Sequence, residues 1–337
     1  MADVTISQLT TKSSLATTNF IPVSDNSTTQ KIGTDSLFGF RNYIINGDMR
    51  IDQRYSGNNV IVNTGGPSNW TGPDRFFAYQ NSPSTNVSVQ RQTINTPTGF
   101  THALRWGRTG SGNPGGITVL ATALESDQSV PLAGKTVTLS FYAAKGANYS
   151  QQNSQLGAML ISGTGLDQSR GEMITFTWSG VTRPIDTNVT LTTSWQRFVL
   201  TATVPSNSKQ LGLYFSWVTS GVAGADDNVY ITGIQLEEGA TATSFERRPI
   251  GLEMELCKRF FVKQIPETTD VYLSVYSSGG TMGYWYWGTS MRTIPVVSGT
   301  TNTGGGGFGW YSTSTGVSIY SPGGSNTARN LTADAEL

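Results

Sequence analysis

Short runs of alternating apolar and polar residues dominate the chain. In KTVTLSFYA (135–143), Val137, Leu139 and Phe141 fall on one side and Thr136, Thr138 and Ser140 on the other. That period of two predicts a strand with one core face. NVSVQRQ (86–92), HALRWGR (102–108), GITVLATAL (116–124), EMITFTW (172–178), WQRFVLTATV (195–204), QLGLYFSWV (210–218) and NVYITGIQL (228–236) also read as strands, with turn-forming residues between them. About eight strands at this spacing predict an antiparallel two-sheet sandwich of jelly-roll type. The period then changes once. After Pro249, Leu252, Leu256 and Phe260 recur at i, i+4 and i+8, which is one face of a short helix. Glu255 precedes Arg259 by four residues, the favourable order for an ion pair.

The flanks differ from the sandwich. In residues 1–40, Ile6, Leu9, Leu15, Phe20, Ile21, Val23 and Ile32 are scattered among Ser, Thr and Asn. This is too little apolar mass for a core, so the segment is expected to order only against a partner. Residues 263–337 read as aromatic strands joined by glycine turns, with few aliphatic residues. In YWYWG (284–288), alternation puts Tyr284 and Tyr286 on one face and Trp285 and Trp287 on the other, one suited to a core and one to contact. The expected organisation is an attachment segment (1–40), a β-sandwich (41–248), a connecting helix (249–262) and a small β-domain rich in glycine and aromatics (263–337).

Composition narrows the function. Only 13% of the 337 residues are charged, against roughly 25% in ordinary soluble domains. Such a polar, uncharged surface suits an extracellular β-protein. Net charge is zero, so the chain has no electrostatic footprint for nucleic acid. No apolar run approaches the ~20 residues of a membrane span, and no membrane insertion is expected. MADVTISQLTTK lacks the charged-then-apolar pattern of a secretion signal, so synthesis and retention in a cytoplasm are expected. The single cysteine, Cys257, permits neither an intrachain disulfide nor a cysteine zinc site and reads as a buried thiol.

Candidate chemistry is sparse. His102, the only histidine, lies in a strand with no serine elbow nearby in sequence. Two facing carboxylates could cleave a glycan, and spacing alone leaves that alternative open. Sugar binding is the sharper expectation, because a sugar's C–H face needs an exposed aromatic ring and its hydroxyls need a polar rim. Trp70 and Asp74 lie in the loop-like GPSNWTGPDRF, Trp106 stands beside two arginines, and Trp178 and Trp217 end strands. These five are the glycan candidates. Trp195, in SWQRF, reads as core.

Several phrases resemble bacteriophage tail-fibre and related virion proteins. The longest is QLEEGATATSFERRPIGLEMELCKRFF (235–261), where Gln235, Leu236, Glu237, Gly239, Ala242, Thr243, Phe245, Glu246, Arg248, Pro249, Glu255, Leu256, Cys257 and Arg259 match. RNYIINGDMRIDQR (41–54), PDRF (73–76), LAGKTVTLSFYAAKG (132–146), LTTSWQRFVLTATVP (191–205) and DDNVYITGIQLEEG (226–239) occur in the family's order. MRTIPVV (291–297) and LTADAEL (331–337) are similar to its C-terminal phrases, and residues 1–40 resemble its N-terminal leader.

The resemblance implies a carbohydrate-binding-module-like sandwich and a non-enzymatic attachment protein of the virion. It implies a homotrimer with Leu252, Leu256 and Phe260 near the threefold axis. The N-terminus would bind other tail proteins, and the body would bind host surface polysaccharide or lipopolysaccharide. A purely structural tail or baseplate component is the first alternative and a glycan depolymerase the second. No cofactor is expected. Related sandwiches hold a structural calcium, for which Asp226 and Asp227 match one element. The chain departs at the other, having Met49 and Arg50 where a glutamate often stands, which removes a hard oxygen ligand.

Overall fold

The structure is a computed structural model and describes residues 20–25, 28–33, 40–62, 71–81, 87–108, 116–264, 271–277, 280–301, 309–321 and 327–336. The chain forms two compact units, Met1–Arg41 and Asn42–Leu337. In the first, β1 (Phe20–Asp25) and β2 (Thr28–Gly33) form an antiparallel pair that sets Ile21 opposite Ile32 and Val23 opposite Gln30. Ile6, Leu9 and Leu15 lie outside the described residues.

The second unit is built on an antiparallel sandwich. One sheet has six strands: β3 (Val60–Ile61), β5 (Val87–Gln92), β6 (Ala103–Arg108), β8 (Thr136–Lys145), β11 (Gln196–Thr203) and β13 (Asp227–Glu238), in the order β11-β8-β13-β6-β5-β3. The other has five: β4 (Phe77–Gln80), β7 (Gly116–Ala123), β9 (Gln155–Gly163), β10 (Thr182–Thr190) and β12 (Gln210–Thr219), in the order β10-β9-β12-β7-β4. Neighbours in space are rarely neighbours in sequence, as a jelly-roll-like winding requires. Between the sheets, Val137, Leu139 and Phe141 meet Leu104, Trp106, Leu213, Phe215 and Trp217 in one continuous core. A short helix, α1 (Ser126–Ser129), follows β7.

EMITFTW, expected as a strand, is different. Its first residues belong to a helix, α2 (Arg170–Ile174). Ser169 caps it: the Glu172 backbone N–H donates to Ser169 Oγ, and the Ser169 N–H donates back to Glu172 Oε2, at 3.3 and 3.1 Å. The turn after α2 folds Trp178 onto the outer face of the five-stranded sheet, against Met173, Ile161 and Tyr214.

The expected helix forms as α3 (Ile250–Lys258). Phe260, just beyond it, is fully buried with Ile45, Ile51 and Cys257 and has Met254 and Leu256 packed alongside. This corrects its assignment to a trimer axis: Phe260 faces its own sandwich. Leu252 and Leu256 are half-buried. The expected Glu255–Arg259 pair is replaced by Glu255–Lys258 at 2.7 Å, while Arg259 reaches Glu125 at 3.0 Å.

After α3, two smaller sheets share a core of Leu273, Trp287, Val297, Val317, Ile319 and Leu331. In one, β21 (Thr327–Asp334) pairs with β14 (Phe261–Lys263), β15 (Val271–Tyr272) and β18 (Val296–Thr301). The other runs β16 (Ser274–Ser277), β17 (Gly280–Tyr286), β20 (Gly316–Ser321), β19 (Gly309–Ser312). The alternation in YWYWG holds. Trp285 and Trp287 turn inward, 5.3 Å apart with planes at 73°, and Tyr284 and Tyr286 are exposed. Among the described residues no helix is long and apolar enough to cross a membrane.

The long signature after β13 is structural. Arg248 donates to both carboxylate oxygens of Glu253 at 3.2 Å and to the carbonyls of Ile44 and Asn42. Glu253 also accepts the Asn46 N–H. Glu237 accepts the N–H and hydroxyl of Thr243, at 2.9 and 2.7 Å. This segment covers the polar side of β8, where Thr138 donates to the Gly239 carbonyl at 2.7 Å. Thr138 and Ser140 are therefore buried although their face is polar.

Candidate functional site

The tryptophans singled out as sugar platforms are mostly interior. Trp106 and Trp217 stack edge-on at 6.2 Å between the two sheets, and the Trp106 indole donates to Thr118 Oγ1 at 2.8 Å. Trp178, with only 2% of its surface exposed, donates to the Ser169 carbonyl at 2.9 Å under α2. Asp74 is also fully buried, accepting the Gln53 N–H at 2.8 Å. The expectation of exposed rings fails at these positions because each strand tryptophan shares a face with core residues two positions away (Leu104 with Trp106, Phe215 with Trp217). Trp70 lies outside the described residues.

The calcium candidates are also engaged. Asp227 and Arg108 are both fully buried and paired at 2.6 Å, and Asp227 accepts the Ser150 N–H at 2.7 Å. A guanidinium thus occupies the place of a cation. Asp226 accepts from Ala147 N–H, Asn228 and Tyr230 at 3.0, 2.9 and 2.7 Å. Arg50, which stands where a glutamate was expected, pairs with Asp48 at 2.6 Å. Among the described residues no group of three or more His, Cys, Asp or Glu side chains could hold a metal ion.

The half-exposed tryptophan of the sandwich is Trp195, the one read as core. Phe198, Leu200 and Ala202 of β11 pack inward against the core. Trp195 has the opposite parity and joins Arg197, Val199 and Thr201 on the outer face. That parity was readable in WQRFVLTATV. Its indole donates to the Asn95 carbonyl at 3.0 Å, which fixes the ring.

Register builds a site around it. Across the six-stranded sheet, Gln90 of β5 pairs with Arg105 of β6, Arg105 with Tyr230 of β13, and Tyr230 with Ala144 of β8. Gln196 of β11 is opposite Ala143, so Trp195 stands at the end of that row. Ala144 is small enough for the rings of Trp195 and Tyr230 to approach over it, to 6.5 Å between centroids at 59°. Polar groups surround the pair. Arg105 donates to Asn59 Oδ1 at 2.7 Å, and Tyr230 donates to Asp226. Burial and the Asp226 carboxylate push the Tyr230 hydroxyl up to about 12, so it stays protonated. Burial raises the Asp226 carboxyl, but hydrogen bonds from Tyr230, Asn228 and the Ala147 N–H, with the charge of Arg105, outweigh it and hold Asp226 below the usual carboxylate range.

A second aromatic group shares this face. Tyr142 pairs with Thr232 on one side and Arg197 on the other. Phe100 packs on Tyr142 at 5.1 Å and on Phe245 at 5.2 Å. Gly233 makes room at a β-bulge: its φ is +62°, and a Cβ there would stand 2.6 Å from the Phe100 ring. Arg197 and Arg247 lie over Tyr142 and Phe100 at 5.9 and 5.4 Å. Ring faces bordered by Arg, Asn, Gln and Asp are what a saccharide's apolar face and hydroxyl rim need. His102, beside this group, bonds only its neighbour Thr101 among the hydrogen bonds described for its ring, at 2.9 Å.

No protein-family model matches the chain. No curated protein matches it. Three solved structures are similar over part of it. One is the enzymatically active domain of tailspike protein 4 of bacteriophage CBA120, with 14% identity, a TM-score of 0.35, and coverage of 59% of this chain and 21% of that one. TmCBM61, solved with β-1,4-galactotriose, has 12% identity, a TM-score of 0.33, and coverage of 59% and 100%. A family 4 carbohydrate-binding module has 14% identity, a TM-score of 0.31, and coverage of 58% and 98%. The chain thus spans about a fifth of the tailspike structure.

Proposed function

We propose that the protein is a non-enzymatic, tail-fibre-like attachment protein of a phage virion that binds a host surface glycan on the outer face of its six-stranded sheet. The observation that carries this reading is the Trp195–Tyr230 pair: two fixed, half-exposed rings bordered by Arg105, Gln90, Asn59 and Asp226. The phrases resembling tail-fibre proteins support the virion assignment, with residues 1–40 as the attachment segment and a homotrimer as the working assembly. Threefold display would raise weak single-site binding by orders of magnitude. The engagement of buried carboxylates favours binding over hydrolysis. Asp48, Asp227, Glu253 and Glu336 each face an arginine, which holds them ionised and occupied.

The test is binding of the purified protein to intact host cells and their extracted surface polysaccharide, with oligomer mass measured on the same sample. A trimer that binds without releasing reducing sugar, and whose Trp195→Ala variant loses binding at unchanged melting temperature, supports the reading. A protein that ignores cells and glycans but joins purified tails would establish the structural alternative. Release of reducing sugar would establish the depolymerase.

A further inference from the structure

The sheet face is not the only site with ligand chemistry. An open cleft of about 540 Å³ lies between α3, β14 and the inner edge of β17, within the size range of small-molecule sites. Trp285 and Trp287 form part of its wall, with Val262 beside them. Trp287 is buried, and its indole donates to the Ser314 carbonyl at 3.0 Å. Its edge-on contact holds the half-exposed Trp285 ring in place. Lys258, at the end of α3, and Lys263, in β14, contribute two ammonium groups, and the remaining polar lining is amide. No carboxylate lines the cleft. Lys258 donates to Glu255 at 2.7 Å and Lys263 to the Arg54 carbonyl at 3.2 Å. Each bond uses one of the three N–H donors an ammonium carries.

We propose that this cleft binds a carboxylated sugar, a uronate residue of an acidic polysaccharide, with the apolar ring face on Trp285 and the carboxylate directed to Lys258 and Lys263. A fixed ring supplies the flat apolar contact, paired ammonium groups supply the counter-charge, and the glutamines can meet hydroxyls. The site shares no residue with the Trp195 face and does not depend on it.

The full chain is titrated with short oligogalacturonate, with a neutral galacto-oligosaccharide of equal length, and with inorganic phosphate, followed by tryptophan fluorescence and calorimetry. The expected result is that the uronate binds at least about tenfold more tightly than the neutral sugar and phosphate, and loses affinity as salt rises. The double variant Lys258→Gln/Lys263→Gln should lose that advantage, and Lys258→Arg/Lys263→Arg should keep it, both at the parental melting temperature. If the double glutamine variant does not fold, Lys258→Gln alone must show the loss. Absence of uronate binding, equal binding of the neutral sugar, or equal binding of phosphate overturns the proposal. So does uronate binding that survives the glutamine variants and disappears in Trp195→Ala, which would assign the acidic sugar to the sheet face.

Discussion

Arg75 pairs with Glu336 across 261 positions of the chain, and both side chains are almost completely buried. The Arg75 guanidinium also lies 3.4 Å from the centre of the Phe260 ring. Around this pair, Arg54 reaches Asp334 at 3.1 Å and Glu336 at 3.4 Å, and Gln53 donates to the Phe261 carbonyl at 2.8 Å. The Ala335 N–H donates to the Phe260 carbonyl at 2.8 Å. Four phrases that resemble tail-fibre sequence, IDQR, PDRF, CKRFF and TADAEL, therefore meet in one buried polar cluster that ties the sandwich, the helix and the last strand together.

Removing one member of such a pair leaves an uncompensated charge, at a cost of about 3–5 kcal/mol. Glu336→Gln is accordingly expected to lower the unfolding free energy by that order, and Arg75→Met by a similar amount. The double variant Arg75→Met/Glu336→Gln should cost clearly less than the sum of the two. Denaturant unfolding of the four proteins measures this, and strict additivity would show that the pair is not coupled.

The sandwich was legible because period-two alternation sets both strand and face. It placed Val137, Leu139 and Phe141 in the core correctly. The Asp227–Glu238 strand and the switch to a helix after Pro249 were equally clear. The cluster around Arg75 was not legible, because its partners are separated by most of the chain and only the fold brings them together. Two misreadings had signals. The Ser169–Glu172 capping box announced a helix where apolar content suggested a strand. The parity of β11 placed Trp195 outside, whereas the general tendency of tryptophan to be buried suggested core.

Asp74 gives the cluster a pH dependence. Burial raises its carboxyl to about 6, against the opposing charge of Arg54 and the hydrogen bonds from Gln53. A carboxyl with a raised folded pKa binds its proton more tightly in the folded state. Its favourable contribution is complete below the unfolded pKa near 4 and is lost as pH rises through about 6. The loss is of order 3 kcal/mol. The stability of the parent minus that of Asp74→Asn should therefore fall between pH 4 and 7. Asp167 and Asp226 are shifted downward and act in the opposite sense, so the difference between the two proteins is the decisive quantity. A flat difference would show that Asp74 titrates normally.

Cys257 is expected to be inert in the folded protein. It is 1% exposed, and burial pushes its thiol well above the ordinary range, with the nearby Asp74 and Glu253 carboxylates adding to the shift. The thiolate is the reactive form. Labelling with a disulfide reagent at pH 8 should be slow in buffer and complete at once in denaturant. Fast labelling of the native protein would mean that the helix and Phe260 do not seal this pocket.

Trp106 and Trp195 provide the sharpest contrast between core and site. Both lie at the six-stranded sheet, but Trp106 is fully buried with its indole bonded to Thr118, and Trp195 is half-exposed on the opposite face. Trp106→Ala opens a cavity between the sheets and should cost about 3–5 kcal/mol of stability. Trp195→Ala removes a surface ring and should change stability far less, while weakening polysaccharide binding by roughly 30-fold, about 2 kcal/mol, the size of an aromatic hot spot. Trp195→Phe, which keeps a ring but loses the bond to the Asn95 carbonyl, should fall between parent and alanine. Melting curves and binding isotherms on the same three samples separate the two effects. If the alanine variant at 195 keeps full affinity while Tyr230→Phe also leaves it unchanged, this face is not the glycan contact.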